Sequence, residues 1–351
     1  MKSISGKDML FQLKNDLIGK DSYRGVTITY TWLANQFGHF SLGFIPTFVV
    51  FFFLHKSMNQ QNAADYSIII ISSGWFLFEV YNLIGPLMFE GNTSLQTSVV
   101  TIKKYSFTPD WRNITFDTIT DICFFWVGSL CSGLFSDYSA AKLIVLFLLI
   151  LCLAYPCYYW YLTKMYIQHA IYPFQFRLSQ WNLDISEANK KIVYKFLNTP
   201  GTGKHLLLFG SKNNGQNSLS VAIGTERAIK HQSCTYLTAM KLFGMLHENT
   251  DDMGNGNNGL WNWRDSSFLV IDDMHPGNAI SEEIITPEKF IDFVMNSHCT
   301  QDNLAALKEK DVVWVMGNPD NKKSVQGWKL LFEKIGIEKE KIYSINLMEK
   351  N

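Results

Sequence analysis

Charge is scarce in this sequence. Of 351 residues only 18% are Asp, Glu, Lys or Arg, against about 25% in an ordinary soluble domain. The charge present balances, 31 Lys+Arg against 31 Asp+Glu. The basic excess of a nucleic-acid-binding protein is missing, and no nucleic-acid partner is expected. Cysteine is also sparse: six residues, at 123, 131, 152, 157, 234 and 299, none in a C-x-x-C motif. That spacing excludes a disulfide framework and a zinc site and points to reduced, buried thiols. The N-terminal stretch MKSISGKDMLFQLKNDLIGK lacks the apolar centre of a cleavable signal, so apolar segments beyond it are expected to be retained. With 47% hydrophobic and 15% aromatic residues the chain is not disordered, and at roughly 150 residues per domain its length suggests two domains.

The scarcity is concentrated in the first half. From Thr199 onward there are 16 Lys+Arg and 19 Asp+Glu, leaving 15 and 12 before it. Four apolar segments fill that half: Ala34 to Leu54, Ser67 to Phe89, Ile119 to Phe135, and Ala141 to Leu162. Each approaches the roughly 20 residues needed to cross a hydrocarbon core. Lys2, Lys7, Lys14, Lys20 and Arg24 precede the first segment, and Lys103, Lys104 and Arg112 lie between the second and third. The opposite loops carry only Lys56 and Lys142. The positive-inside rule then puts both termini in the cytoplasm, with the lipid bilayer as the first partner and Tyr158 to Tyr161 at the inner interface. On that side the glycosylation sequons at Asn92 and Asn113 are idle. Glu79 falls mid-span, with Gln36 and His39 near the end of the first. An intramembrane acid is a functional candidate; the plainer alternative is a carboxyl held between helices. Ser129 and Gly133, four apart, fit close helix packing. The loop from Glu90 to Asp117 is long enough for a partner surface.

Residues 164–198 read as a connector, with a helix starting at Asp184/Ser186. Beyond it the periodicity predicts strands at His205–Phe209, Cys234–Thr238, Phe268–Asp272, Val312–Gly317 and Lys341–Leu347. Helices are expected at Asn217–His231, Thr238–Glu248, Thr286–Ser297 and Trp328–Ile335. Alternating strands and helices imply a parallel sheet covered on both faces. The first strand runs into a glycine-bounded loop and a helix, the layout that cradles phosphates on backbone amides. Gly210 and Gly215 have the spacing of G-x-x-x-x-G-K-[ST], but Gln216 and Asn217 stand where Lys and Ser/Thr belong, with Ser218 one residue later. Lys212, inside the loop, is the candidate substitute for the missing ammonium. The run Phe268-Leu-Val-Ile-Asp272-Asp273 ends a buried strand in two acids, Asp272 to hold a metal and Asp273 to orient water. Pro200-Gly201-Thr202-Gly203-Lys204 imitates the end of a phosphate loop, but a strand follows the Lys instead of a helix.

These motifs and their order resemble the additional-strand class of P-loop NTPases, AAA+ or STAND-like, from Thr199 onward. The resemblance implies that Asn318, at the end of the fourth strand, senses a γ-phosphate, and that ATP and Mg²⁺ are the cofactors. It also implies an arginine supplied by a neighbouring subunit. No arginine follows Arg264, so only Arg264 or Arg227 is on offer, with Lys322 and Lys323 as weaker stand-ins. No helical lid is expected after the last strand.

The fold expected is thus an α-helical membrane domain of four transmembrane helices (1–163), a connector (164–198) and an α/β P-loop NTPase-like domain with a parallel sheet (199–351). The function expected is that of a membrane-anchored nucleotide-responsive protein or pseudo-NTPase, a homo-oligomer or a subunit beside a partner ATPase. An active but atypical ATPase, and a channel gated by the soluble domain, are the alternatives.

Overall fold

The computed structural model describes residues 3–18, 25–90, 106–199, 203–210, 214–248, 260–274, 287–295, 300–317 and 322–348. The chain divides into two compact units. One, helical, comprises Phe11–Ile102 and Pro109–Leu162; the other, built on a sheet, comprises Met1–Leu10, Lys103–Thr108 and Thr163–Asn351.

The helical unit is made from α2 (Ile28–Ser57), α3 (Ala63–Glu90), α4 (Trp111–Ser136) and α5 (Ala140–His169, to Leu162), preceded by α1 (Gly6–Leu17). Among the described residues these four, α2 to α5, are the helices long and apolar enough to cross a membrane. Each outruns the apolar core seen in the sequence, because polar residues continue the helix at its ends. Thr27 caps α2 by accepting from Tyr30 N, and Asp110 caps α4 by accepting from Asn113 N. Residues 111–117, expected in a loop, are therefore the first two turns of α4.

Glycines set how closely these helices approach. A Cβ on Gly43 of α2 would lie 2.1 Å from the carbonyl oxygen of Phe125, and one on Gly128 of α4 equally close to that of Phe40. The two backbones touch at this crossing, which only the missing Cβ allows. The expected pair on α4 splits its work: Ser129 Oγ donates to Gly43 O at 3.3 Å, while a Cβ on Gly133 would collide with Ile68 of α3.

In the sheet unit, β1 (His205–Phe209), β2 (Cys234–Thr238), β3 (Phe268–Asp272), β4 (Asp311–Val315) and β5 (Ile342–Asn346) form one sheet of order β2-β3-β4-β1-β5. Every pairing is parallel. β1, β3 and β4 are buried along their whole length, as their uninterrupted apolar runs require. The helices are α6 (Glu187–Asn198), α7 (Gln216–Ile229), α8 (Ala239–Glu248), α9 (Pro287–Met295), α10 (Thr300–Glu309) and α11 (Lys322–Lys334). Ser186 caps α6, as its sequence suggests.

The two faces of the sheet follow from crossover handedness. The step from β1 to β2 runs toward one edge through α7; the later steps run back through α8, α9–α10 and α11. Right-handed crossovers in opposite directions put their helices on opposite faces. Accordingly Phe243, Phe290, Leu307 and Phe332 from the later helices share one core with Leu207, Ile271 and Trp314. On the other face α7 covers β3 and β4, and Phe196 of α6 meets Phe268 and Tyr343 edge-on. β4 lies between β1 and β3, an additional strand separating the loop-bearing strand from the acid-bearing one. The connections leaving β1 and β4 go to opposite faces, so the C-terminal ends of these adjacent strands open the crevice where open α/β sheets bind ligands.

Candidate phosphate-loop site

β1 delivers Gly210 to this crevice. Gly210 N donates to Gly317 O at 3.4 Å, and Leu347 N donates to Phe209 O, so the chain exits from β1, β4 and β5 sit side by side. Gly215 starts α7 in the left-handed region, φ +79°, and brings no side chain to the first amides of the helix. A Cβ there would lie 2.3 Å from Leu183 and close to Trp181. This glycine therefore serves both the turn and the close passage of the connector. Trp181 Nε1 donates to Ser218 Oγ at 3.0 Å, and Ser218 Oγ donates to Gly215 O at 2.9 Å.

Gln216 turns inward. Its Nε2 donates to Gly210 O at 3.3 Å, tying the first residue of α7 to the start of the loop, while its Oε1 is buried without a partner. Asn217 Nδ2 donates to Asp272 Oδ2 at 3.0 Å across the gap between α7 and β3. The two positions that face a metal in a phosphate loop are thus brought together, but they bond to each other. Asp272, at the end of β3, is buried. Its Oδ2 also accepts from Tyr236 Oη on β2, and its Oδ1 accepts from Asp273 N at 2.7 Å. Burial raises its carboxyl above the usual carboxylate range, the Tyr236 and Asp273 hydrogen bonds opposing it. Asp273 is exposed and adopts φ +56°, which Asp tolerates better than most residues. Lys212 and Asn318 lie outside the described residues; Gly317, just before Asn318, is the partner of Gly210.

Tyr236 and the connector residues Trp181 and Leu183 were not legible as site residues. Tyr236 is a strand residue of ordinary type, and only the β2–β3 register, pairing Thr238 with Asp272, places its hydroxyl near the acid. Tyr236 N in turn donates to Ala170 O at 2.9 Å, immediately after α5.

The other candidates are occupied elsewhere. Arg227 donates to Asp311 Oδ2 at 2.9 Å and to Phe196 O, at the first residue of β4, the opposite end of the strands from the loop. Arg264 is held by Asn303 and lies over Trp263. Lys204 precedes β1 with its Nζ donating to Phe196 O and Thr199 O, so its ammonium is committed to the end of α6. Asp311 is drawn upward by burial and held back by Lys204 and Arg227. Cys234 is buried and its thiol is pushed up to about 12, so it is inert.

A magnesium–triphosphate fits this set of residues poorly. The ammonium position carries a neutral amide bonded to the loop's own carbonyl. The metal-facing carboxylate already accepts three hydrogen bonds from the protein. The open amides at the start of α7 remain suited to a phosphate.

No protein-family model matches the chain, and no curated protein does. Among solved structures the chain is similar to DnaI, with 18% identity and a TM-score of 0.30 over 50% of this chain and 89% of that one. That likeness is too slight to carry an argument.

Proposed function

We propose that this protein is a membrane-anchored pseudo-NTPase, a nucleotide-responsive regulatory or structural subunit of a membrane complex. The observation that carries the reading is the closed hydrogen-bond circuit at the site. Asn217, Tyr236 and Asp273 N satisfy Asp272 from within the protein, and Gln216 replaces a lysine with an amide that braces the loop. A carboxylate so engaged has little acceptor capacity left for Mg²⁺, and without the lysine charge the phosphates gain little in return. What persists is the glycine-started helix α7 following β1 on a sheet of the additional-strand order. The four apolar helices support the membrane anchor, with the sheet unit on the cytoplasmic side by the loop charges.

Thermal unfolding of the detergent-solubilised full-length protein tests this reading. A ligand at 100 times its Kd adds about 2.7 kcal/mol, an easily read shift. The expected result is a small stabilisation by millimolar ATP that is the same with Mg²⁺ or EDTA and survives Asp272→Ala. A large stabilisation that needs Mg²⁺ and is abolished by Asp272→Ala would overturn it.

A further inference from the structure

The helical unit holds a polar cluster that the proposed function leaves unused. His39 Nδ1 of α2 lies 3.1 Å from Asp121 Oδ1 of α4. Gln36, one turn earlier on α2, donates from Nε2 to the same oxygen at 3.2 Å. Glu79 of α3, 8% exposed, is within electrostatic reach of both His39 and Asp121. Asp117, one turn before Asp121 on α4, also acts on His39. Three helices therefore bring the carboxyl groups of Asp121 and Glu79 and the imidazole of His39 together, with the exposed Asp117 acting from one turn away.

We propose that this cluster is an intramembrane proton-binding site. The inference goes beyond the pseudo-NTPase reading and shares with it only the membrane anchor. Gln36 is the observation that points to an occupant. The residue is 4% exposed and its amide nitrogen is committed to Asp121, yet its Oε1 is buried with no partner. A buried acceptor beside a carboxylate is costly unless a donor stands between them, and a protonated carboxyl supplies that donor. The charge count agrees. With His39 neutral, ionised Asp121 and Glu79 leave two bare negative charges in hydrocarbon, a state the membrane disfavours strongly. One proton held between His39 and Asp121, whose Nδ1 and Oδ1 lie 3.1 Å apart without an aligned hydrogen bond, and a second on Glu79 neutralise both. A metal ion is the poorer occupant, because no three carboxylate or imidazole groups among the described residues come close enough to ligate one.

The site is held firmly. α2 and α4 touch at Gly43 and Gly128, about one to two turns along from His39 and Asp121, and Phe125 stacks on Trp75 of α3 while its ring meets His39. Trp75 Nε1 in turn donates to Leu42 O. The three helices that supply the groups are locked together beside them.

The test uses the full-length protein in phosphatidylcholine–phosphatidylglycerol liposomes, first floated on a density gradient and then followed by infrared spectroscopy from acid to alkaline pH. The expected result is a carbonyl stretch of a protonated carboxylic acid that persists near neutral pH, shifts in D₂O, and is lost in Glu79→Gln or Asp121→Asn. Bands from carboxyl groups of the sheet unit are common to all variants and cancel in the difference spectra. His39→Gln, the mildest change, should move the midpoint of the titration by about one pH unit or more, as loss of a charged neighbour does. Failure of the wild type to float would overturn both this site and the anchor. Flotation without a protonated band near neutral pH, a band untouched by all three substitutions, or its displacement by Na⁺ or K⁺ at fixed pH would overturn the site alone.

Discussion

At Asp272 three donors meet one buried carboxylate, and the balance between them sets how the residue behaves with pH. Its carboxyl is raised above the ordinary value, so the ionised form costs stability. The contribution of the group is most favourable below its unfolded value of 3.8 and is lost as pH rises through the higher folded value. Tyr236 works against that loss by donating to the charged form. Tyr236→Phe should therefore destabilise the protein by about 1–3 kcal/mol at a pH above the folded value of Asp272, and by less below it. Paired melts of wild type and variant at neutral and acidic pH, followed by circular dichroism, check this. An equal effect at both pH values would mean that Tyr236 packs against the acid without bonding to its charge. Gln216 is the second residue that matters, because its bond to Gly210 replaces a charge that would point at phosphate with a brace inside the loop.

Among the elements, the strands were the most legible. All five fall within a residue or two of the sequence expectation, because buried parallel strands are short, unbroken apolar runs. Helix α10 was missed: TQDNLAALKE presents a thin apolar stripe in which Leu307 is fully buried, too little for periodicity to detect. The loop, α7 and the acid of β3 were legible because glycine spacing and a strand ending in Asp-Asp are local signals. The contacts of Asn217 and Tyr236 to Asp272 were not, since they depend on sheet register. Likewise the Ser129–Gly133 spacing suggested close packing, while the tighter Gly43–Gly128 crossing lacked any repeat to mark it. Gly128→Ala should show its weight. With Phe40 O at 2.1 Å from the new Cβ, α2 and α4 must separate. A cost of about 1–3 kcal/mol is expected for such overpacking. The thermal midpoint in detergent measures it, and Gly38→Ala on α2, where a Cβ meets open space, is the control that should change little. If the two variants melt alike, the helices do not touch where the glycines put them.

For the molecule as a whole, charge scarcity in the first half and strand–helix alternation in the second already divided the chain into an apolar helical part and a sheet-based part. Two compact units follow the same division, with the sheet unit also taking in Met1–Leu10, Lys103–Thr108 and the end of α5 from Thr163. The short segments before α1 and α4 could not be assigned by sequence, because neither has a periodicity of its own. In the proposed account the helical unit is the anchor, and the sheet unit keeps the additional-strand order while its site has been turned from metal and phosphate chemistry to internal hydrogen bonding. The most direct test of that claim is steady-state ATP hydrolysis by the full-length protein reconstituted in liposomes, with Mg²⁺ or EDTA, beside Asp272→Asn. The account predicts no Mg²⁺-dependent turnover above empty liposomes for either protein. Turnover by the wild type that requires Mg²⁺ and disappears in Asp272→Asn would contradict it and make the chain a working ATPase.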